Sequence, residues 1–187
     1  MLLSFLFFML IFTGVGLASA RVKKDTTDDY LIAGRGIHPA MAALSAVSTW
    51  NSGYMFIGIV GFTWTMGYSV YWSMIASTAG QILAWIFIFK WVRKQAEEEN
   101  VRSLSTLIGN GAGSIEAKLA AVLTVIFLSI YAAAQLTAGG KALYVLMDWP
   151  IWSGVILGGV LVVAYCYAGG IRASIWTDSV QSVVMLI

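Results

Sequence analysis

Long blocks of apolar residues are the feature that most constrains this chain. Residues 1–17 carry no charged side chain, and several further apolar blocks follow. A helix needs about 20 apolar residues to cross the hydrocarbon core of a bilayer. Charged residues make up only 11% of the chain, whereas soluble domains contain about 25%. Lipid is therefore the main solvent, and we expect an all-α, polytopic membrane protein.

The apolar blocks predict six membrane-spanning helices. We place them at residues 2–20, 38–63, 68–92, 116–145, 151–168 and from 174 onward. Ala18-Ser19-Ala20 resembles a signal-peptide cleavage site, but no basic residue precedes the first apolar block, which favours an uncleaved helix. We interpret residues 1–187 as a single transmembrane domain that is truncated at its C-terminus, inside the sixth helix.

The basic residues sort to one side of this arrangement. With the N-terminus outside, the cytoplasmic segments are 21–37, 90–118 and 169–173. These segments hold ten of the eleven Lys and Arg residues, namely Arg21, Lys23, Lys24, Arg35, Lys90, Arg93, Lys94, Arg102, Lys118 and Arg172. Only Lys141 lies near an outer end, where its stem can snorkel to the interface. Because Lys and Arg concentrate in cytoplasmic loops, the sequence predicts a plasma-membrane protein with its N-terminus outside.

The chain offers little for covalent or metal-cluster chemistry. It has one cysteine, Cys166, in an apolar block, and one histidine, His38. A single cysteine excludes an intrachain disulfide, and one histidine disfavours a zinc site. No glycine-rich stretch has the context of a nucleotide-binding motif. We therefore expect neither an enzyme nor a nucleic-acid-binding protein, and the bilayer and a small solute are the partners we predict.

Polar residues and a glycine interrupt the second predicted helix. The stretch from Ser48 to Gly53 reads Ser-Thr-Trp-Asn-Ser-Gly, which cannot simply face lipid and which weakens helix continuity. An unwound helix in mid-membrane exposes carbonyl oxygens that suit a hard cation such as Na⁺. Irregular backbone at this depth is tolerated only inside protein or beside a water-filled cavity. Tight packing of small residues between helices is the alternative, and spacing alone leaves both open.

Polar groups also lie inside later predicted helices. Gln135 is costly in lipid and should face inward, where a helix–helix hydrogen bond is the plainer account. Asp178 and Gln181 are three residues apart, so they share one face of the sixth helix. A carboxylate inside a membrane helix is usually functional or paired. Asp178 could equally complement the dipole of the helix N-terminus or pair with Arg172.

Three segments together resemble the sodium:solute symporter family, which includes proline, pantothenate and sugar symporters. They are Asp29-Tyr30-Leu31-Ile32-Ala33-Gly34-Arg35-Gly36, then Ala43-Leu44-Ser45-Ala46 followed by Ser52-Gly53-Tyr54-Met55-Phe56-Ile57-Gly58, and Gly169-Gly170-Ile171-Arg172-Ala173 with Trp176-Thr177-Asp178 and Gln181. The proline-type branch is most similar, through the Ser-Gly-aromatic sequence and through Ile130-Tyr131-Ala132 with Gly139-Gly140.

The resemblance implies a LeuT-like inverted-repeat transporter fold, of which this chain would be the N-terminal portion with about six helices. The first helix would precede the repeat, and the second would be its broken first helix. The resemblance implies a sodium site that uses the carbonyls of Ser48 and Asn51, with Asp178 on the cation pathway. We group the candidate solute-contacting residues as Ser52, Gly53, Tyr54, Tyr131 and Gln135.

One position departs from the family pattern. Trp50 stands where members commonly have Asn or Asp, and an indole cannot supply an oxygen ligand. The backbone part of a sodium site would survive this change, but help from a side chain at this position would not.

The activity implied by the resemblance is symport of a small organic solute, such as proline, another amino acid or a carboxylate, into the cell. Na⁺ would be the coupling ion, and no organic cofactor is expected. The alternatives are a membrane sensor module of the same fold fused to a signalling domain, and an inactive scaffold. Because the rest of the family's sodium site lies on a later helix, we do not expect residues 1–187 to transport alone.

Overall fold

A computed structural model describes residues 2–109 and 111–186 of the chain. Those residues form helices joined by short turns, and they contain no β-strand. In chain order the α-helices are α1 (Leu2–Ser19), α2 (Thr27–Ile32), α3 (Pro39–Trp50), α4 (Ile59–Met66), α5 (Val70–Leu83), α6 (Phe89–Glu98), α7 (Leu104–Ile108), α8 (Ile115–Met147) and α9 (Ile151–Leu186). The predicted all-α architecture is confirmed.

Short segments of other helical type connect some of these elements. They are two 3₁₀ turns, Ala33–Arg35 and Gly67–Ser69, and two π-helical segments, Tyr54–Gly58 and Ala84–Ile88. π-Helical turns are often found at functional sites. The first of them directly follows the polar stretch that the sequence predicts to be broken.

Four helical stretches of the described residues are long and apolar enough to cross a membrane: Leu2–Ser19, Pro39–Glu98, Ile115–Met147 and Ile151–Leu186. A straight helix of 60 residues would be about 90 Å long, far more than a bilayer requires. The second stretch is interrupted at Gly67 (φ 60°, ψ −142°), and the fourth at Gly170 (φ 60°, ψ −149°). Divided at these two glycines, the four stretches give six segments, which correspond to the six predicted spans. The second segment contains a further break after Trp50.

The start of α3 follows from local chemistry. Pro39 occupies the first turn of the helix, where its missing N–H removes no helical hydrogen bond. The Nδ1 atom of His38 caps the helix by accepting from the N–H of Ala40 at 3.2 Å. The one histidine therefore caps α3.

The described residues form two compact units. Residues 2–56 and 133–186 make up the first unit, and residues 57–109 and 111–132 make up the second. In the first unit α9 packs against α1, α2 and α3. In the second unit α4 and α5 contact each other at the Gly67 interruption. Large apolar side chains on both units are mostly exposed, as expected for helices whose solvent is lipid.

Small residues bring α8 and α9 close together within the first unit. A Cβ atom on Gly154 would lie 2.7 Å from the Cα atom of Gly140, and one on Gly158 would lie 3.4 Å from Leu136. Close backbone approach through glycine is the usual means of packing membrane helices. Gly154 and Gly158 therefore serve the packing of α9 against α8.

Candidate functional site

The α-helical hydrogen-bond pattern ends at the polar stretch after Trp50. The N–H of Asn51 still donates to the Val47 carbonyl at 2.9 Å, but Asn51 itself has left the helical conformation (φ −79°, ψ 53°). The N–H of Gly53 donates instead to Oε1 of Gln135 at 3.0 Å, and that of Tyr54 contacts Oγ of Ser52 at 3.3 Å. The predicted break in this helix is therefore present.

The break leaves carbonyl oxygens without donors. Within residues 2–109 and 111–186, no hydrogen bond reaches the carbonyl oxygen of Ser48 or that of Asn51. These are the two carbonyls that the family resemblance assigns to a sodium ion. Carbonyl oxygens are ligands of hard cations, so these two free oxygen atoms fit such an ion. The ligand assignment itself stays a prediction.

At Gly53, α8 approaches the break closely. A Cβ atom at this position would lie 2.5 Å from the Cβ atom of Ala138 and 3.2 Å from Oε1 of Gln135. Only a glycine allows this approach without movement of the neighbouring helix. The inward-facing orientation expected for Gln135 is confirmed, since its amide oxygen binds the N–H that the break exposes.

Two pairs of polar side chains join α3 to α9. The hydroxyl of Ser45 donates to Oδ2 of Asp178 at 2.8 Å, and the hydroxyl of Ser48 donates to Oε1 of Gln181 at 3.3 Å. Ser174 lies 3.5 Å from the same carboxylate oxygen of Asp178. Asp178 and Gln181 thus share a face, as predicted, and that face is directed at α3.

The pairing of Asp178 with Arg172, one of the alternatives raised by the sequence, is wrong. Arg172 is instead paired with Asp29 in the segment before α3. The alternative of a helix-dipole role also fails, because Asp178 lies about two turns beyond the Gly170 interruption, and the dipole acts within the first turn. Among the described residues, the carboxylate of Asp178 contacts hydroxyls and no basic group.

The remaining candidate residues are distributed as follows. The side chain of Tyr54 is 54% exposed at the start of the π-helical segment, and that of Trp50 is 43% exposed at the end of α3. Tyr131 is on α8 in the second unit, and its predicted contact with solute stays a prediction. Ser45 is the polar contact that the site prediction missed. The spacing of three residues places Ser45 and Ser48 on one face of α3, as it places Asp178 and Gln181 on one face of α9, but spacing alone does not pair the two faces.

Comparison with known proteins assigns the chain to a family. A family model described as "Sodium:solute symporter family" matches residues 30–187. The chain belongs to the sodium:solute symporter family. The resemblance drawn from the three sequence segments is therefore confirmed, and the described helices are those of a multi-pass membrane protein.

The curated relatives of this family member include proline transporters. The sodium/proline symporter of Escherichia coli is 28% identical over 165 residues, which are 85% of this chain and 32% of the relative. A high-affinity proline transporter of Bacillus subtilis is 28% identical over 162 residues, or 84% of this chain and 34% of the relative. A sodium/proline symporter of Staphylococcus aureus is 26% identical over 184 residues, or 96% and 36%.

This family member spans about a third of the length of these relatives. No solved structure matches it. The relatives are named as transporters, which agrees with the expectation of a non-enzymatic function. None of these comparisons supports the sensor-module alternative.

Proposed function

We propose that the protein containing this chain is a sodium-coupled symporter that brings a small organic solute into the cell. The observation that carries this proposal is the break after α3, which frees the carbonyl oxygens of Ser48 and Asn51 next to the polar face of α9. Membership of the sodium:solute symporter family supports the same activity. We propose proline or another amino acid as the solute, because sodium/proline symporters are among the relatives.

In this proposal Asp178 attracts the cation. Its Oδ2 atom accepts from Ser45 and lies near Ser174, whereas its Oδ1 atom has no hydrogen-bond partner within the described residues. A carboxylate held by hydroxyls keeps its negative charge available to a mobile cation, which a salt bridge to arginine would neutralise. Asp178 therefore provides an anionic station between the carbonyl oxygens of the break and the cytoplasmic side, where the distribution of basic residues predicts this end of α9 to lie.

The side chains next along α3 and α9 continue this route with neutral oxygens. Gln181 and Ser48 contact each other one turn beyond Asp178 and Ser45. Neutral oxygens bind a monovalent cation weakly enough for it to leave again, which passage through a site requires. We propose that Na⁺ moves along this row between Asp178 and the carbonyls of Ser48 and Asn51.

The solute would bind at the break itself. Ser52 lies in the bend after α3, and Gly53 and Tyr54 begin the helical segment that follows, where polar backbone and an exposed tyrosine ring are available. Gln135 holds this turn in place through the N–H of Gly53. Ion and solute would then bind a few residues apart on one segment, so each can stabilise the conformation that the other prefers, which is reciprocal linkage.

The experiment is uptake by the full-length protein reconstituted in proteoliposomes. An inward Na⁺ gradient should drive accumulation of one member of a panel of labelled amino acids, carboxylates and sugars, and a K⁺ gradient should not. Equal uptake with Na⁺ and with K⁺ would refute sodium coupling.

Asp178→Asn tests the cation route in the same assay. Loss of the carboxylate should raise the Na⁺ concentration for half-maximal uptake about tenfold, which corresponds to about 1.4 kcal/mol. Asp148→Asn is the matched control, because Asp148 is exposed in the turn before α9 and its positive φ (57°) suits asparagine. An unchanged Na⁺ activation curve for Asp178→Asn would show that Asp178 does not serve the cation.

A further inference from the structure

A buried ion pair lies on a part of α9 that the proposed cation route does not include. The Nη2 atom of Arg172 contacts Oδ1 of Asp29, which is 143 residues away in the chain, and donates to the carbonyl of Ala33 at 3.1 Å. The other carboxylate oxygen of Asp29 accepts from the N–H of Lys24 at 2.8 Å. The side chains of Arg172 and Asp29 are only 14% and 3% exposed. The surrounding backbone therefore holds both charged side chains in place, through the N–H of Lys24 and the carbonyl of Ala33.

The backbone on the Asp29 side is shaped to reach the arginine. Three consecutive residues after α2, namely Ala33, Gly34 and Arg35, have φ values of 50°, 59° and 54°. Left-handed backbone is unfavourable for alanine and arginine, and such conformations persist where surrounding contacts determine them. The carbonyl of Ala33, inside this turn, accepts from Arg172. The turn and the ion pair therefore form one arrangement, which ties the segment before α3 to α9.

The same segment also holds the interruption in α9. The hydroxyl of Tyr30 donates to the carbonyl of Cys166 at 3.3 Å, on the N-terminal side of Gly170. Gly170 packs against the backbone of Tyr30 so closely that no Cβ atom could fit there. Tyr30 and Asp29 thus hold α9 on both sides of its interruption, at Cys166 and at Arg172. This fixes the direction in which the second half of the helix leaves the bend.

The second half of α9 is the part that carries Asp178 and Gln181 to α3. Two serines between and beyond them reach backbone carbonyls of α3. The hydroxyl of Ser182 donates to the carbonyl of Leu44. That of Ser179, which lies 2.7 Å from the Ile175 carbonyl in its own helix, is 3.2 Å from the carbonyl of Met41. These contacts can form only when α9 has one particular position along α3. Arg172 lies six residues before Asp178, about 9 Å along the same helix, so a shift of Arg172 moves the carboxylate with it.

We propose that Asp29 and Arg172 form a positioning pair, which sets the register of α9 on α3 and thereby the cation affinity of the Asp178 station. This inference rests on the proposed function for its effect on Na⁺, although neither residue touches the cation route. Asp29 lies outside the membrane-spanning segments, and its hydrogen bond from Arg172 keeps the pKa of its carboxyl below the ordinary value. The carboxylate of Asp29 therefore stays charged at neutral pH.

A transport assay on the full-length protein tests the proposed effect of the pair on Na⁺ affinity. Arg172→Gln and Asp29→Asn should each raise the Na⁺ concentration for half-maximal uptake about tenfold, the lower end of the loss seen when supporting groups of metal ligands are removed. The maximal rate at saturating Na⁺ should change much less. Arg172→Lys, which keeps the charge, should recover most of the affinity. A fall in maximal rate with an unchanged Na⁺ requirement would overturn the proposal.

The double variant Asp29→Asn/Arg172→Gln separates a positioning pair from two independent effects. If the residues act as one unit, the double variant should need no more Na⁺ than either single variant. Multiplied single effects would contradict the proposal. Lys94→Gln is the matched control, because Lys94 forms an exposed pair with Glu98 at 3.7 Å, and exposed pairs contribute little.

A distance measurement, which needs no transport, tests the proposed effect of the pair on the position of α9 along α3. Spin labels at Val47 on α3 and Val183 on α9, both exposed, are introduced in a Cys166→Ser background of the full-length protein. Arg172→Gln should shift or broaden the distance between them, whereas Lys94→Gln should not. An unchanged distance overturns the positioning role. If the distance shifts but the unmodified protein shows no Na⁺-driven uptake, the proposed function fails while the positioning of α9 stands.

Discussion

At the residue scale, Gly53 links the break in the helix to its neighbour. Its N–H is bound by Gln135, and its missing side chain leaves the space that Ala138 occupies. The residue therefore serves two needs at once, one of hydrogen bonding and one of packing. A larger residue would keep the N–H but could not fit beside Ala138 without displacing α8.

Gly53→Ala should accordingly destabilise the protein. The added methyl group would meet Ala138 at 2.5 Å, and overpacking of this kind typically costs about 1–3 kcal/mol. Gly139→Ala on the neighbouring α8 is the control, because nothing lies within 4 Å of a Cβ atom there, and alanine favours a helix by about 1 kcal/mol. Thermal unfolding of the full-length protein in detergent measures both. Equal melting temperatures for the two variants would contradict the packing argument.

The site residues show what a sequence can and cannot predict at this scale. Asp178 and Gln181 could be placed on one face because helical spacing is fixed. The partner of Asp178 could not, since Ser45 lies 133 residues earlier in the chain. The same reason explains the wrong alternative for Arg172: Asp178 is near in sequence, whereas Asp29, its actual partner, is 143 residues away. Long-range pairing depends on packing that local spacing does not encode.

At the scale of elements, α9 is defined by its interruption. Gly169-Gly170 could be predicted as the end of one helix, because glycine is common where helices stop. The structure adds that helical residues continue on both sides and that the backbone at Gly170 takes φ 60° and ψ −149°. Essentially only glycine adopts that combination. The close approach of Tyr30 at this point was not predictable, because α2 is too short to show a packing face.

Replacing Gly170 tests whether the interruption is required. Gly170→Ala should destabilise the protein by at least about 1–3 kcal/mol, which is the cost expected for a non-glycine residue in this backbone region. The clash with Tyr30 adds to that loss. Gly159→Ala in the same helix should be tolerated, because its Cβ atom would lie an ordinary 3.9 Å from Leu136. Comparing yield and melting temperature of the purified full-length variants checks this. A Gly170→Ala protein as stable as the Gly159→Ala protein would mean that α9 can straighten.

At the scale of the whole molecule, the apolar blocks could be predicted almost entirely. All described stretches that can cross a membrane coincide with predicted spans, because the need for about 20 apolar residues leaves few choices. The division of the longest stretch at Gly67 agrees with the separate spans expected on its two sides. What the helices do not specify is which end of each faces the cytoplasm, and this rests on the distribution of Lys and Arg alone.

That orientation can be tested by labelling single cysteines in whole cells. In a Cys166→Ser background of the full-length protein, Thr65→Cys lies in a predicted outer loop, and Glu99→Cys lies in a predicted cytoplasmic segment; both side chains are exposed. A membrane-impermeant maleimide should label Thr65→Cys in intact cells, but Glu99→Cys only after permeabilisation. The cysteine-free background controls for nonspecific labelling. The reverse pattern would place the N-terminus inside. Asp29 and Arg172 would then lie on the external side, from which Na⁺ enters, and not on the cytoplasmic side, where Na⁺ is released.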